Sequence, residues 1–215
     1  APQERGESEA ENINKSMTQL EYKLVSGIEK VSRTRTPVVA FTQGSGELAE
    51  SQTAKLATEL KRTMEVDYLD LDSLYKINNK VDIVIVAGPT RSISVKNQFK
   101  LDQYIINGGK IIWLLDQFAV NLDSINQNQI YVPRKLETGL EAMLFKYGIR
   151  INSDLILDLE NTAIPQVIGV QGGEEQTKLF PWVYHPLLQG NQESAIVKNI
   201  DRVSSTFPSS IDILD

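Results

Sequence analysis

The sequence predicts an α/β fold, a parallel sheet flanked by helices on both faces and followed by a C-terminal β-hairpin. Three observations carry that expectation. Short apolar runs rich in β-branched residues recur as VVAFTQ (Val38 to Gln43), DIVIVA (Asp82 to Ala87) and KIIWLL (Lys110 to Leu115). They do not alternate with polar residues, which is what strands covered on both faces require. The segments between them space their apolar residues at three and four, as helical crossovers do. Beyond Leu159 the texture changes to two apolar stretches, Gln166 to Val170 and Lys178 to Tyr184, around Gly172-Gly173-Glu174-Glu175, which reads as a hairpin and its turn.

Residues 1–10 read as a disordered lead-in, and residues 11–215 as one α/β domain. From about Ser8 to Val31 a long helix is expected, because Ile13, Met17, Leu20, Leu24, Ile28 and Val31 form one apolar stripe. Acids near its start and Lys30, Arg33 and Arg35 near its end suit the helix dipole. The stripe is expected to face the core, with a coiled-coil or stalk contact as the alternative. The first strand follows Pro37, and after it a helix carries Ala49, Thr53, Leu56, Leu60 and Met64. Val66 to Leu71 forms the second strand and Asp82 to Ala87 the third, closed by Gly88-Pro89. A helix with Leu101, Tyr104 and Ile105 inward stops at Gly108, which takes the left-handed cap conformation. The fourth strand, Lys110 to Leu115, is read as central, and the Asn/Gln-rich stretch Gln117 to Pro133 as a loop. Leu136, Leu140, Met143, Leu144 and Tyr147 mark a helix ending at Gly148, and Asp154 to Leu159 a fifth strand.

Composition narrows the function. The 215 residues are 41% hydrophobic, enough for one sizeable core. A net charge of −6 without a basic block disfavours nucleic acid. The absence of cysteine removes disulfides, thiolate metal sites and a Cys nucleophile, and a single histidine argues against zinc. No apolar run approaches the roughly 20 residues of a membrane helix, so if the protein is anchored or exported, the anchor is expected outside this stretch, which reads as part of a larger protein.

The candidate site residues are Gly44, Ser45, Gly46, Glu47, Gly88, Arg91 and Asp116. Gly44 to Glu47 is a glycine turn between the first strand and the next helix, where backbone N–H groups can meet an anion. Ala49 stands in the place of a third glycine, and Glu47 would repel a phosphate, so the rival reading is a tight turn with Glu47 stabilising the helix N-terminus. Asp116 ends the fourth strand, where ligands of open α/β sheets gather. Arg91 follows Gly88-Pro89-Thr90 at the mouth of the third strand and suits a carboxylate. His185, ahead of Pro186, is the natural proton carrier if the protein is an enzyme. Trp113 reads as core and Trp182 as core or interface.

Five blocks in order, LEYKLVSGIEKV, VVAFTQGSGEL, DIVIVAGPTRSIS, LDQYIINGGKIIWLLD and SAIVKNID…FPSSIDIL, resemble the extracytoplasmic part of GldG-like auxiliary subunits of ABC-type transport systems, associated with gliding motility in Bacteroidetes. The resemblance implies a Rossmann-like, glutamine-amidotransferase-like domain used for assembly or binding. It also implies attachment to the periplasmic face of the inner membrane by helices outside this stretch, with the ABC permease and ATPase subunits as partners. Where that family has Gly-His-Gly-Glu at the first turn, Ser45 replaces the histidine, and Ser194-Ala195 stands where a His-Pro pair is usual. In active glutamine amidotransferases the strand corresponding to Lys110 to Leu115 leads to a nucleophilic Cys between glycines; here it leads to Asp116-Gln117.

The expectation is therefore a noncatalytic domain, without cofactor or metal, that acts by protein–protein contact or ligand recognition, with a homodimer among the contacts it could make. One alternative is a small-molecule, saccharide-like binding domain using the strand ends near Gly44, Gly88 and Asp116. Another is a hydrolase that brings Asp116 and His185 into one pocket.

Overall fold

A computed structural model describes residues 20–120, 132–191, 193–194, 197 and 200–214. The expected lead-in, the first turns of the long helix and most of the Asn/Gln-rich stretch lie outside the described residues. Helix α1 (Leu20–Ser32) precedes β1 (Val38–Gln43), α2 (Glu50–Leu60), β2 (Glu65–Asp70), β3 (Ile83–Ala87), α3 (Val95–Ile106) and β4 (Lys110–Leu114). These four strands form one parallel sheet in the order β2-β1-β3-β4.

Each face of the sheet has its own apolar layer, because successive side chains of a strand point to opposite sides. Val39, Phe41, Ile85 and Ala87 point to the α2 side and pack with Ala57. Ala40, Val84 and Val86 point the other way, where Leu101 and Tyr104 of α3 meet Leu71, Ile77, Leu140 and Leu144. Phe41 stacks on Tyr68 with ring centroids 5.4 Å apart, and Tyr68 Oη meets Thr53 Oγ1 at 3.1 Å, which ties α2 to β2. Helix α2 turns Thr53 and Ala57 inward and leaves Leu56 exposed, a shift from the face expected from spacing. Ser94 caps α3 by accepting from the Asn97 N–H, and Gly108 at φ +88° ends the helix region as expected.

Three expectations are corrected. The stripe of α1 does not face the core: Leu20, Leu24, Val25 and Ile28 are exposed and Val31 is 88% exposed. Amphipathic spacing reports that a face needs cover, not which body covers it. Strand β4 is an edge strand rather than a central one, and Ile112 and Leu114 on its α2 side are largely uncovered. Residues 154–159 form no strand. Asp154 instead accepts the Ser210 N–H at 2.8 Å, and Ile156 N–H donates to the Pro208 carbonyl at 2.9 Å, so this stretch is tied to the tail.

After β4, β5 (Phe118–Ala119) pairs antiparallel with β6 (Arg134–Lys135). The helix expected from Leu136 is only α4 (Glu141–Lys146), with Leu136 and Leu140 buried ahead of it. Next come β7 (Ile149–Ile151), β8 (Asn161–Gln171), β9 (Glu174–Leu188), β10 (Val203–Ser204) and β11 (Ile211–Ile213). β8 and β9 pair antiparallel across Gly172 and Gly173, both at positive φ, at the turn expected there. The tail, which sequence reasoning leaves unassigned, pairs β10 with β9 and β11 with β7.

Candidate functional site

Parallel strands bring their carboxyl ends to one rim, so the turns after β1, β3 and β4 share the crest of the sheet. Gly44 at φ +115° and Gly46 at φ +76° bend the chain sharply after β1. Glu47 folds back over this turn: its carboxylate accepts the Ser45 N–H at 2.6 Å and the Thr42 hydroxyl at 3.1 Å. The turn is then locked to the crest of β3. The Ser45 carbonyl accepts the N–H groups of Thr90 and Arg91, the Thr90 hydroxyl donates to the Gly46 carbonyl at 2.9 Å, and Arg91 Nη2 donates to the Gly44 carbonyl at 3.2 Å.

Gly44, Ser45, Gly46, Glu47 and Arg91 are thus brought together, but they spend these polar groups on one another. The Ser45 N–H is occupied by the carboxylate of Glu47. Nor does Glu47 open the helix, as the turn reading supposed. Helix α2 starts at Glu50, and its first exposed donor, the Ala49 N–H, is satisfied by Gln52 Oε1 at 2.9 Å.

The crest carries acids that sequence spacing does not point to. A Cβ built on Gly44 would lie 3.3 Å from Asp70 Oδ1 and 3.5 Å from Asp72 Oδ2. Asp72 in turn accepts from Asn97 Nδ2 at 2.7 Å, and Asn97 Oδ1 accepts from Lys100 Nζ at 2.9 Å. Lys100 is 5% exposed and also donates to the Leu71 carbonyl. The only signal in the sequence was a lysine three residues past an asparagine, on the helix face that also carries Tyr104. A crest with Glu47, Asp70 and Asp72 against one Arg91 is hostile to a phosphate.

Asp116 stands apart from this turn. With β3 between β1 and β4, two strand spacings separate them, about 10 Å. Gly88 lies between, its N–H donating to the Leu114 carbonyl at 2.8 Å. Asp116 sits at the open mouth of a cleft of about 220 Å³ walled by Leu140, Leu144, Ile149 and Ile151. This volume falls below the roughly 300–1,000 Å³ of ordinary ligand pockets. Arg150 also lines the cleft, but its guanidinium is engaged by Asp212.

Burial among these apolar walls pushes the Asp116 carboxyl above its ordinary value. A raised native pKa means that the native state loses stability as pH climbs through the window above pH 3.8. Asp116→Asn is accordingly expected to raise the melting temperature at neutral pH by about 1–2 °C, small because the mouth is open to water. The gain should vanish near pH 3 on a pH series of thermal melts.

His185 lies elsewhere, buried in β9 with its ring edge against Phe207 at a 5.0 Å centroid separation. Burial lowers its pKa, and its Nε2 has no partner among the described residues. Asp116 and His185 share neither a hydrogen bond nor the Asp116 cleft among the described residues, so the structure does not bring this particular pair into one pocket. Trp182 sits in the same strand, tilted against Tyr184 at 6.0 Å. Trp113 is half-buried against the core on the α3 side. No group of three or more His, Cys, Asp or Glu side chains among the described residues is placed to hold a metal.

Fold and crest together define a parallel α/β domain with a hairpin extension and a self-satisfied turn at the place where dinucleotide-binding α/β folds in general keep an open one. Residues 36–215 match the family described as an ABC-type uncharacterized transport system, and the chain belongs to that family, an auxiliary component of ABC transport. It is also 24% identical over 182 residues to an uncharacterized protein of Borreliella burgdorferi, matching 83% of this chain and 34% of that protein. The chain therefore spans about a third of that curated relative. Among solved structures it is similar to the mmIFT52 N-terminal domain, with a TM-score of 0.54 and 16% identity over 83% of this chain and 69% of that one, a likeness of fold alone. No helix among the described residues is long and apolar enough to cross a membrane.

Proposed function

We propose that this chain is a noncatalytic domain of an ABC-transporter auxiliary subunit. It stands on the periplasmic face of the inner membrane, held by segments elsewhere in the protein, and works by contact within an assembly that contains the permease and ATPase subunits. The gliding-motility association of GldG-like proteins is part of this reading, as is a Rossmann-like, amidotransferase-like frame that lacks the nucleophile. The observation that carries it is the uncovered stripe of α1, with Leu24, Ile28 and Val31 exposed; a separate solvent-facing row, Ile112 and Leu114, lies on the edge strand β4. An uncovered apolar stripe of this kind marks a contact surface.

The test is affinity capture of the full-length membrane protein with its neighbours. Leu24→Glu with Ile28→Glu is expected to cut permease recovery about tenfold while leaving the melting temperature of the domain within about 2 °C, since neither side chain touches the core. Undiminished recovery would defeat the contact reading. Light scattering of the domain alone separates a homodimer through the same stripe from a hetero-contact.

A second reading takes Gly44, Ser45, Gly46, Glu47, Gly88, Arg91 and Asp116 as a saccharide-like ligand site, favoured by the Asp116 carboxylate at the mouth of its cleft, which no described residue engages by a hydrogen bond or ion pair. Its test is a thermal-shift panel of mono- and oligosaccharides, in which a stabilising sugar should lose its effect on Asp116→Asn.

A further inference from the structure

The connection between β2 and β3 and the solvent side of α3 enclose a groove of about 430 Å³ that shares no residue with α1 or with the Gly44 to Glu47 turn, and is linked to the crest acids only through Lys100. Its composition is unusual for a protein of net charge −6. Three lysines line it, Lys76, Lys96 and Lys100, together with the aromatic rings of Tyr75, Phe99 and Tyr104, and no acid lines it. The roles of these groups differ. Lys100 is spent internally on the Leu71 carbonyl and Asn97, so it forms floor rather than lure. Tyr104 is buried and donates its hydroxyl to the Val81 carbonyl at 3.1 Å, which fixes the apolar wall. Asp72, the carboxylate tied to this floor network, is turned to Asn97.

That leaves Lys76 and Lys96 as exposed ammonium groups with no ion-pair partner among the described residues. Beside them Tyr75 is 93% exposed and Phe99 62% exposed. Two large rings held in water next to two unpaired cations on an acidic surface incur the cost of apolar exposure without return in the free domain. A concave, aromatic floor with cations at its rim has the shape and charge of a recognition groove.

We propose that this groove binds an acidic peptide segment of a partner protein, with an aromatic or aliphatic side chain seated between Tyr75 and Phe99 and flanking carboxylates on Lys76 and Lys96. Charge complementarity decides the occupant. A basic segment would meet two like charges, and a neutral one would leave both cations unanswered. A lipid surface would engage a convex knob of rings rather than a groove, so anionic membrane is the competing outcome.

The experiment is selection of a random peptide phage library on the immobilised domain, followed by fluorescence anisotropy with the enriched peptides. Enrichment of sequences in which Asp or Glu flanks a Phe, Leu or Trp is expected. Lys76→Glu with Lys96→Glu should weaken an enriched peptide at least about tenfold, as should Phe99→Ser, whereas Lys55→Glu on α2 should leave it unchanged. Binding should also fall as salt rises from about 0.05 to 0.5 M. All four substitutions lie at exposed positions, and matching circular dichroism melts confirm that each variant is folded. No enrichment, enriched peptides without net negative charge, equal binding by the charge-reversed variant, or cosedimentation with phosphatidylglycerol vesicles that the peptide does not displace would each overturn the proposal.

Discussion

Gly46→Ala is expected to destabilise the domain by about 2–3 kcal/mol. Gly46 sits at φ +76°, where an alanine costs about 1–2 kcal/mol through its Cβ alone. That Cβ would stand 2.3 Å from Thr90 Oγ1 and 3.3 Å from Arg91 Nε, inside contact distance of both. Thr90 could yield only by rotating away from the Gly46 carbonyl, which its hydroxyl holds at 2.9 Å, at a further cost of about 1 kcal/mol. Gly172→Ala is the matched control, because Gly172 has φ +66° with nothing within 4 Å of the added carbon. Urea melts of the two variants should differ by the contact cost at Thr90, and equal midpoint shifts would show that the lock between the β1 and β3 turns contributes nothing.

Lys100→Met is expected to cost about 2–4 kcal/mol, although methionine keeps most of the stem volume. The ammonium donates to the Leu71 carbonyl and to Asn97 Oδ1, and Leu71 and Asn97 are both nearly inaccessible to solvent. Removing the donor leaves two acceptors unanswered where water cannot replace it, at about 1–3 kcal/mol for each group left unsatisfied. A double-mutant cycle between Lys100→Met and Asn97→Ala in denaturant melts should give a coupling of about 0.5–3 kcal/mol. A loss below about 0.5 kcal/mol for Lys100→Met would show that the lysine is a passenger rather than a strut.

These two positions divide the molecule by what a sequence makes visible. The Gly44 to Glu47 turn is legible because glycines between a strand and a helix have few other uses, and the structure puts a sharp turn there. The partner that locks it is not legible, since Thr90 lies 44 residues away from Gly46 and meets it only because β1 and β3 are neighbours. Lys100 reads as a solvated helix residue by type. Its burial follows from the position of Leu71 after β2 and from the chain that links Asn97 to Asp72.

The sequence by itself determined the four parallel strands, their helical crossovers on two faces, the glycine caps and the hairpin turn. Each of these depends on side-chain periodicity and on the backbone freedom of single residues, which are local properties. Only the tertiary structure decided that β4 lies at an edge, that residues 154–159 join the tail rather than the sheet, that α1 turns its stripe to solvent, and that Asp116 and His185 do not meet. An apolar stripe or a strand end records a demand for a neighbour. Which neighbour answers is set by contacts between residues far apart in the chain, and those exist only once the whole chain has packed.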